Sequence, residues 1–354
     1  MGVKLKRLGE QTLVITGATS GIGLVAARTA ARRGARLVLA ARNEGALRAL
    51  ADEINSAGGR AIYVVADVGR AEEVRRIADA ALARFGGFDS WVNNAGVSIY
   101  GRVLEVSEED HRRLFDTNYW GVVHGSRVAC EHLRRTGGAL VNVGSVLSDR
   151  AIPLQGTYCA SKHAVKGFSD ALRMELEEEG APVSVSLVKP SAIDTPYRAH
   201  AKNYMEVEPL NPPPVYAPET VAEAILHCCE HAERDVYVGF GGKFLSVAGE
   251  RAPRLTDAAM EAVFFRIQRS ESPSPPNRRD SLHAPSMDGE ERGGYPGHVA
   301  ESSIYTKASL HPLLAGAAVF GAGLALAAWL RADTKGGSAR RPRTADGNMV
   351  RRVS

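Results

Sequence analysis

Short apolar runs alternate with longer amphipathic stretches along the first 245 residues. The runs fall at 12–17, 35–41, 60–68, 90–96, 138–145, 183–190 and 235–242, and each reads as a strand. Between them lie 24–33, 43–56, 70–85, 107–135, 156–179 and 218–232, where apolar positions recur with the 3.6-residue period of a helix. Strand and helix in strict alternation predict an α/β fold with a parallel sheet covered on both faces. In such sheets ligands sit outside the carboxyl ends of the strands. Polar and glycine-rich residues concentrate at those ends here.

The first strand runs into Thr16, Gly17, Ala18, Thr19, Ser20, Gly21, Ile22 and Gly23, and a helix follows. Backbone N–H groups and a helix N-terminus so placed suit the pyrophosphate of a dinucleotide. The glycine spacing is Gly-x3-Gly-x-Gly. Gly17 is expected to turn the chain, Gly21 to let the backbone approach phosphate, and Gly23 to bring the helix close to the strand. The second strand ends in Ala41, Arg42 and Asn43, with no acid to hold a ribose 2′-hydroxyl. A guanidinium suits a 2′-phosphate, so Arg42 points to NADP(H). The third strand ends in Asp67 and Val68, where a carboxylate could accept the adenine amino group, and the fourth in Asn93, Asn94, Ala95 and Gly96.

Tyr158 precedes Lys162 by four residues, which places both on one helical face, and Ser145 ends the fifth strand. A phenol of ordinary pKa about 10 needs about 4 kcal/mol of differential stabilisation to reach neutrality, and a close ammonium together with an oxidised nicotinamide could supply it. Taken together, TGATSGIG at 16–23, Asp67, NNAG at 93–96, Asn118 within DTNYWG, Ser145, YCASK at 158–162 and the 190–195 segment resemble the short-chain dehydrogenase/reductase family over residues 10–245. The resemblance implies a single Rossmann-type, doubly wound domain with a seven-stranded parallel sheet. It implies a catalytic tetrad of Asn118, Ser145, Tyr158 and Lys162. Ser145 would hold the substrate oxygen, Tyr158 would exchange a proton with it, Lys162 would bind the nicotinamide ribose, and Asn118 would hold a water in the proton path. The cofactor contacts so implied are Thr16, Gly17, Ser20, Gly21, Ile22, Gly23, Arg42, Asp67, Val68, Asn94, Ala95, Gly96, Tyr158, Lys162, Pro190, Ile193 and Thr195. Gly144 stands where the family often has a second serine, and Ser191 where it often has glycine. The expected reaction is hydride transfer between nicotinamide and an alcohol or ketone; the alternative is an NADP(H) sensor without turnover. Homo-oligomers through the helices bearing Asn118 and Tyr158 are expected by the same likeness.

Residues 196–217 form a proline-rich, largely apolar loop beside the expected nicotinamide end, which suggests a lid and a hydrophobic substrate. The four cysteines and ten histidines show no metal-ligand spacing; His227, Cys228, Cys229 and His231 read as the core and surface of one helix. Few cysteines and no apolar stretch before the first strand suit a reducing cytoplasm.

Composition changes after residue 269, the expected end of the catalytic domain (1–269). Residues 270–311 are rich in Ser, Pro, Gly and charge and read as a disordered linker. A hydrophobic helix is expected over 312–331. Its uncharged run 313–330 would span about 27 Å, close to a hydrocarbon core of about 30 Å. Five leucines among many alanines and glycines make insertion marginal, and membrane attachment is expected over packing on a partner subunit. The tail 332–354 is basic and also reads as disordered; beyond Leu330 seven basic residues face two acidic ones, against a chain total of +4. Such a tail favours an anionic surface, and without interleaved aromatics it does not suggest nucleic acid.

Overall fold

A computed structural model describes residues 3–285 and 288–311, with the side chains of 242–245 left aside. Seven parallel strands form its sheet: β1 Thr12–Thr16, β2 Arg36–Ala41, β3 Arg60–Val65, β4 Ser90–Asn93, β5 Gly138–Val143, β6 Val183–Pro190 and β7 Asp235–Val238. Their spatial order is β3-β2-β1-β4-β5-β6-β7. The order reverses between β1 and β4, and a crevice opens there at the carboxyl ends.

The strands are buried on both faces, so both sets of alternating side chains are apolar. Leu13, Ile15, Leu37 and Leu39 point to one face, under α1 Gly21–Arg32, α2 Glu44–Ser56 and, further along the chain, a helix over Pro218–Glu230. Val14, Val38 and Trp91 point to the other, under α3 Ala71–Phe85 and two later helices. Local chemistry sets the helix ends. Asn43 accepts the Ala46 N–H at the start of α2 (3.1 Å), and Gly86 closes α3 in the left-handed conformation.

The helix expected over 107–135 is two helices, α4 Glu108–Phe115 and α5 Gly121–Thr136, joined by one wide π-turn, Asp116–Trp120. The turn swings Asn118 inward. Its Oδ1 accepts the Val97 N–H (2.8 Å), and its Nδ2 donates to the Val97 carbonyl (2.9 Å) and to Ser161 Oγ (3.1 Å). Those bonds fasten the loop after β4 to α6 Gly156–Glu178, and π-turns commonly mark such insertions. Next come α7 Pro218–Glu230, the helix already placed beside α1, and then α8 Gly241–Arg251, α9 Pro253–Ile267 and α10 Ile304–Leu310. Pro253 breaks the helical stretch beyond residue 241 in two.

The segment read as a disordered linker is a folded part of the compact unit, which runs to Leu310. Arg269–Pro273 pairs antiparallel with Val207–Pro209, and Val299–Ala300 pairs with Val215–Tyr216. Leu282 is 0% exposed among Val97, Ile99, Val106 and Leu114. Arg278 reaches the carboxylate of Glu208 (3.0 Å) and the carbonyls of Arg198 and Ala201. Composition misled because polar contacts to the domain, rather than a local core, order this segment. The loop 196–217 is likewise pinned, through a turn of helix at Tyr197–His200 and three short pairings.

All four cysteines are unbridged and buried: Cys130, Cys159, Cys228 and Cys229. Burial pushes the Cys130 and Cys159 thiols up to about 11 and Cys229 to about 12, and raises Cys228 as well. Among the described residues no group of His, Cys, Asp and Glu could hold a metal, and no helix is long and apolar enough to cross a membrane. The apolar run 313–330 and the basic tail 332–354 lie outside the described residues.

Candidate active site

One cavity of about 330 Å³ runs along the crevice from the end of β2 to α6. Of the residues expected to bind cofactor, all but Thr16 line it; Ser145, Tyr158 and Lys162 line it too, whereas Asn118 does not. Thr16 and Asn118 are buried supports behind the wall. The Thr16 hydroxyl donates to the Val92 carbonyl (3.2 Å) and accepts the N–H groups of Asn94 and Ala95 (3.1 and 3.2 Å). Both Nδ2 protons of Asn118 are spent on protein acceptors, so its side chain could not donate to a water.

The glycine turn fits its expected shape. Gly17 has φ +65°, a conformation that costs a side-chain-bearing residue, and a Cβ there would lie 2.8 Å from Ala95 Cα. At Gly23 a Cβ would meet the Gly17 carbonyl at 2.0 Å, so α1 can cross the turn only without one. Ser20 stands at the N-cap of α1 without spending its side chain as a cap.

At the other end, the Tyr158 and Ser145 side chains line the cavity together, and Ser145 lies close enough to act on the phenol. Ser145 Oγ also accepts the Leu147 N–H (3.1 Å). Lys162 Nζ donates to the Val143 carbonyl (2.8 Å) and lies 5.6 Å from the Tyr158 ring centroid. Lysine was expected to make this phenol more acidic, and the protein's own groups do the opposite. Burial dominates both: it pushes Tyr158 up to about 12 and Lys162 down to about 8. Burial outweighs the neighbouring hydroxyls of Ser145 and Tyr197, which oppose the rise at Tyr158.

Tyr197 lies in the apolar loop 196–217, where the sequence did not single it out. Its ring meets that of Tyr158 edge-on at 5.6 Å, and its hydroxyl reaches Ser98 Oγ (2.7 Å) and Gln155 Oε1 (3.0 Å). No local spacing could have singled it out, because it depends on how the loop after β6 folds back. The two departures at Gly144 and Ser191 are harmless. Ser191 keeps an ordinary backbone and spends its hydroxyl on the Val238 carbonyl (2.9 Å). A Cβ on Gly144 would press on Leu187 and Ser148 at 3.0 Å, and Ser148 Oγ instead accepts the Ser145 N–H (3.1 Å).

At the β2 end, Arg42 donates to the carbonyls of Ser281 and Leu282. Arg113, which the sequence reading did not single out, donates to Leu282 (3.0 Å) and pairs with Asp67 at 2.5 Å. The Asp67 carboxylate, expected to face adenine, is thus shared with a guanidinium and with the Gly69 N–H (3.0 Å), which hold it below the usual carboxylate range despite burial. The segment after residue 280 crosses the glycine turn. Gly289 donates to the Thr19 carbonyl (2.8 Å), and the Gly21 N–H donates to Glu290 (2.9 Å).

The parts suit a dinucleotide: a tight turn at a helix N-terminus, a guanidinium at the end of β2, and a buried hydroxyl, Thr117 Oγ1, that lines the cavity without a partner among the described residues. Fold and site together define a dinucleotide-dependent α/β oxidoreductase. Residues 11–205 match the family described as short chain dehydrogenase, and the chain belongs to that family. It is 47% identical over 333 residues to the uncharacterized oxidoreductase YxnA of Bacillus subtilis, covering 93% of this chain and 92% of that one. The match therefore extends well past residue 205. A short chain dehydrogenase of Burkholderia cenocepacia solved with NADP is similar at TM-score 0.60 and 26% identity, over 72% of this chain and 99% of that one. A short chain dehydrogenase/reductase of Burkholderia phymatum solved with NAD is similar at 0.59 and 27%, over 78% and 100%.

Proposed function

We propose that the protein is an NADP(H)-dependent oxidoreductase that interconverts a hydrophobic ketone or aldehyde and its alcohol. The observation that carries this is one buried hydroxyl pair, Ser145 and Tyr158, at the far end of the cavity that begins at Arg42 and the glycine turn. A bound nicotinamide supplies the hydride in reduction and takes it up in oxidation. Ser145 donates a hydrogen bond to the substrate oxygen and fixes it. Tyr158 gives that oxygen a proton as negative charge grows there. With its pKa near 12 the phenol keeps its proton at neutral pH, which suits reduction. Lys162, anchored on Val143, would hold the nicotinamide ribose. Arg42 supports the 2′-phosphate assignment, since the groups it donates to are the neutral carbonyls of Ser281 and Leu282, which an anion could replace.

The cavity lining includes the apolar side chains of Ile152, Val146, Leu147, Phe264 and Pro213. That supports a hydrophobic substrate. Reaction with a panel of ketones, aldehydes and alcohols, followed by NADPH absorbance, tests the reading. Tyr158→Phe should lower turnover at least about a thousandfold while changing the NADPH dissociation constant less than twofold. Wild-type activity in that variant would end the mechanism. Tight NADPH binding with no member of the panel consumed would favour the sensor.

A further inference from the structure

The second strand ends without the acid that would hold a ribose 2′-hydroxyl, but the fold brings one to that place from far along the chain. Asp288 lines the same cavity as Arg42, Asp67 and Thr117. Its position is fixed by its own neighbours. Gly289 donates to the carbonyl of Thr19, and the Gly21 N–H donates to Glu290, which binds this stretch to the glycine turn. Farther along, Glu291 pairs with Arg28 on α1 (2.8 Å), and the Asp194 carboxylate accepts the N–H groups of Gly293 and Tyr295 (3.2 and 2.9 Å). Asp288 is therefore held in the cavity wall beside the glycine turn, within reach of Arg42's charge.

Charge at that end then nearly cancels. Arg42 and Arg113 are cationic, while Asp67 and Asp288 are anionic, and Arg113 is already committed to Asp67. Burial and then Arg113 lower the Arg42 pKa, and the charges of Asp67 and Asp288 oppose them. A 2′-phosphate, carrying about −1.5 to −2, would meet one available guanidinium and a nearby carboxylate. A 2′-hydroxyl would meet a carboxylate able to accept its proton.

We propose that Asp288 is a specificity-determining residue of the dinucleotide site, one that disfavours a 2′-phosphate and favours a bare ribose, so that Arg42 and Asp288 together narrow the discrimination between NADP and NAD. The assignment rests on the dinucleotide reading of the cavity. It makes the C-terminal segment a functional wall of the site, outside the span that matches the family.

The test is equilibrium binding of NADP⁺ and NAD⁺ to the full chain, by calorimetry at fixed ionic strength. The proteins are wild type, Asp288→Asn, Asp288→Glu, Arg42→Ala and the Arg42→Ala/Asp288→Asn double variant. Asp288→Asn should tighten NADP⁺ about tenfold and weaken NAD⁺ about threefold, and Asp288→Glu should keep the wild-type ratio. In the Arg42→Ala background the NADP⁺ gain should differ from that in wild type, because the two charges act on the same phosphate. Equal changes for both nucleotides, or a ratio within twofold of wild type, would overturn the assignment and leave Asp288 a structural residue. A wild-type chain that binds neither nucleotide would remove the dinucleotide reading, and the assignment with it.

Discussion

Lys162 is 4% exposed and holds a single hydrogen bond, to the Val143 carbonyl. Its ammonium is stabilised in water and not in this interior, so its pKa falls from an ordinary 10.5 to about 8. A depressed folded value means that the unfolded chain binds the proton more tightly. The stabilising contribution is present above 10.5 and is lost as pH falls through 8. The stability of wild type relative to Lys162→Met should therefore rise by about 2 kcal/mol between about pH 7 and pH 9.5, read from urea unfolding at each pH. A flat difference would mean that water reaches the ammonium. Taking the difference between the two proteins matters, because the buried cysteines titrate in the opposite sense at the alkaline end. The pairing of Tyr158 with Lys162 was legible in the sequence, since helical periodicity alone puts residues four apart on one face. The direction of their pKa shifts was not, because desolvation depends on the whole fold.

Among the elements, the strands and helices of the sheet were the readable part. Period-2 and period-3.6 patterns report burial within a few residues, and burial on both faces makes those patterns strong. Strand ends were overrun, as at 90–96, where pairing stops at Asn93 and the chain turns to present Asn94 and Gly96. The segment beyond 269 was misread because its order comes from long-range polar bonds and one buried leucine. That finding bears on how the protein should be cut. A chain ending at residue 269 would expose the Leu282 pocket and remove the bonds that Arg42, Arg28 and Asp194 make to the later segment, leaving Arg28 its pair with Glu53. It should melt at least about 5 °C lower than a chain ending at 311, and bind dinucleotide more weakly. Equal melting temperatures would show that the segment adds nothing to the fold.

For the molecule as a whole, the cofactor groove is a joint product of the Rossmann-type sheet and a C-terminal stretch that no short motif announces. Gly17, Gly23 and Tyr158 could be placed from local patterns, whereas Arg113, Tyr197 and Asp288 reach the cavity only through tertiary folding. The four enclosed thiols give this architecture a built-in reporter. With every sulfur shielded and held protonated well above its usual range, native protein should be inert to iodoacetamide near pH 8, and a tag at Cys130, Cys159, Cys228 or Cys229 should mark a molecule that has opened. Mass spectrometry of partly labelled samples would then rank regions by how readily they breathe: Cys228 and Cys229 report on α7, Cys159 on the tyrosine-bearing helix and Cys130 on α5. Prompt modification of all four sites without denaturant would mean that the interior admits reagent far more freely than its packing implies.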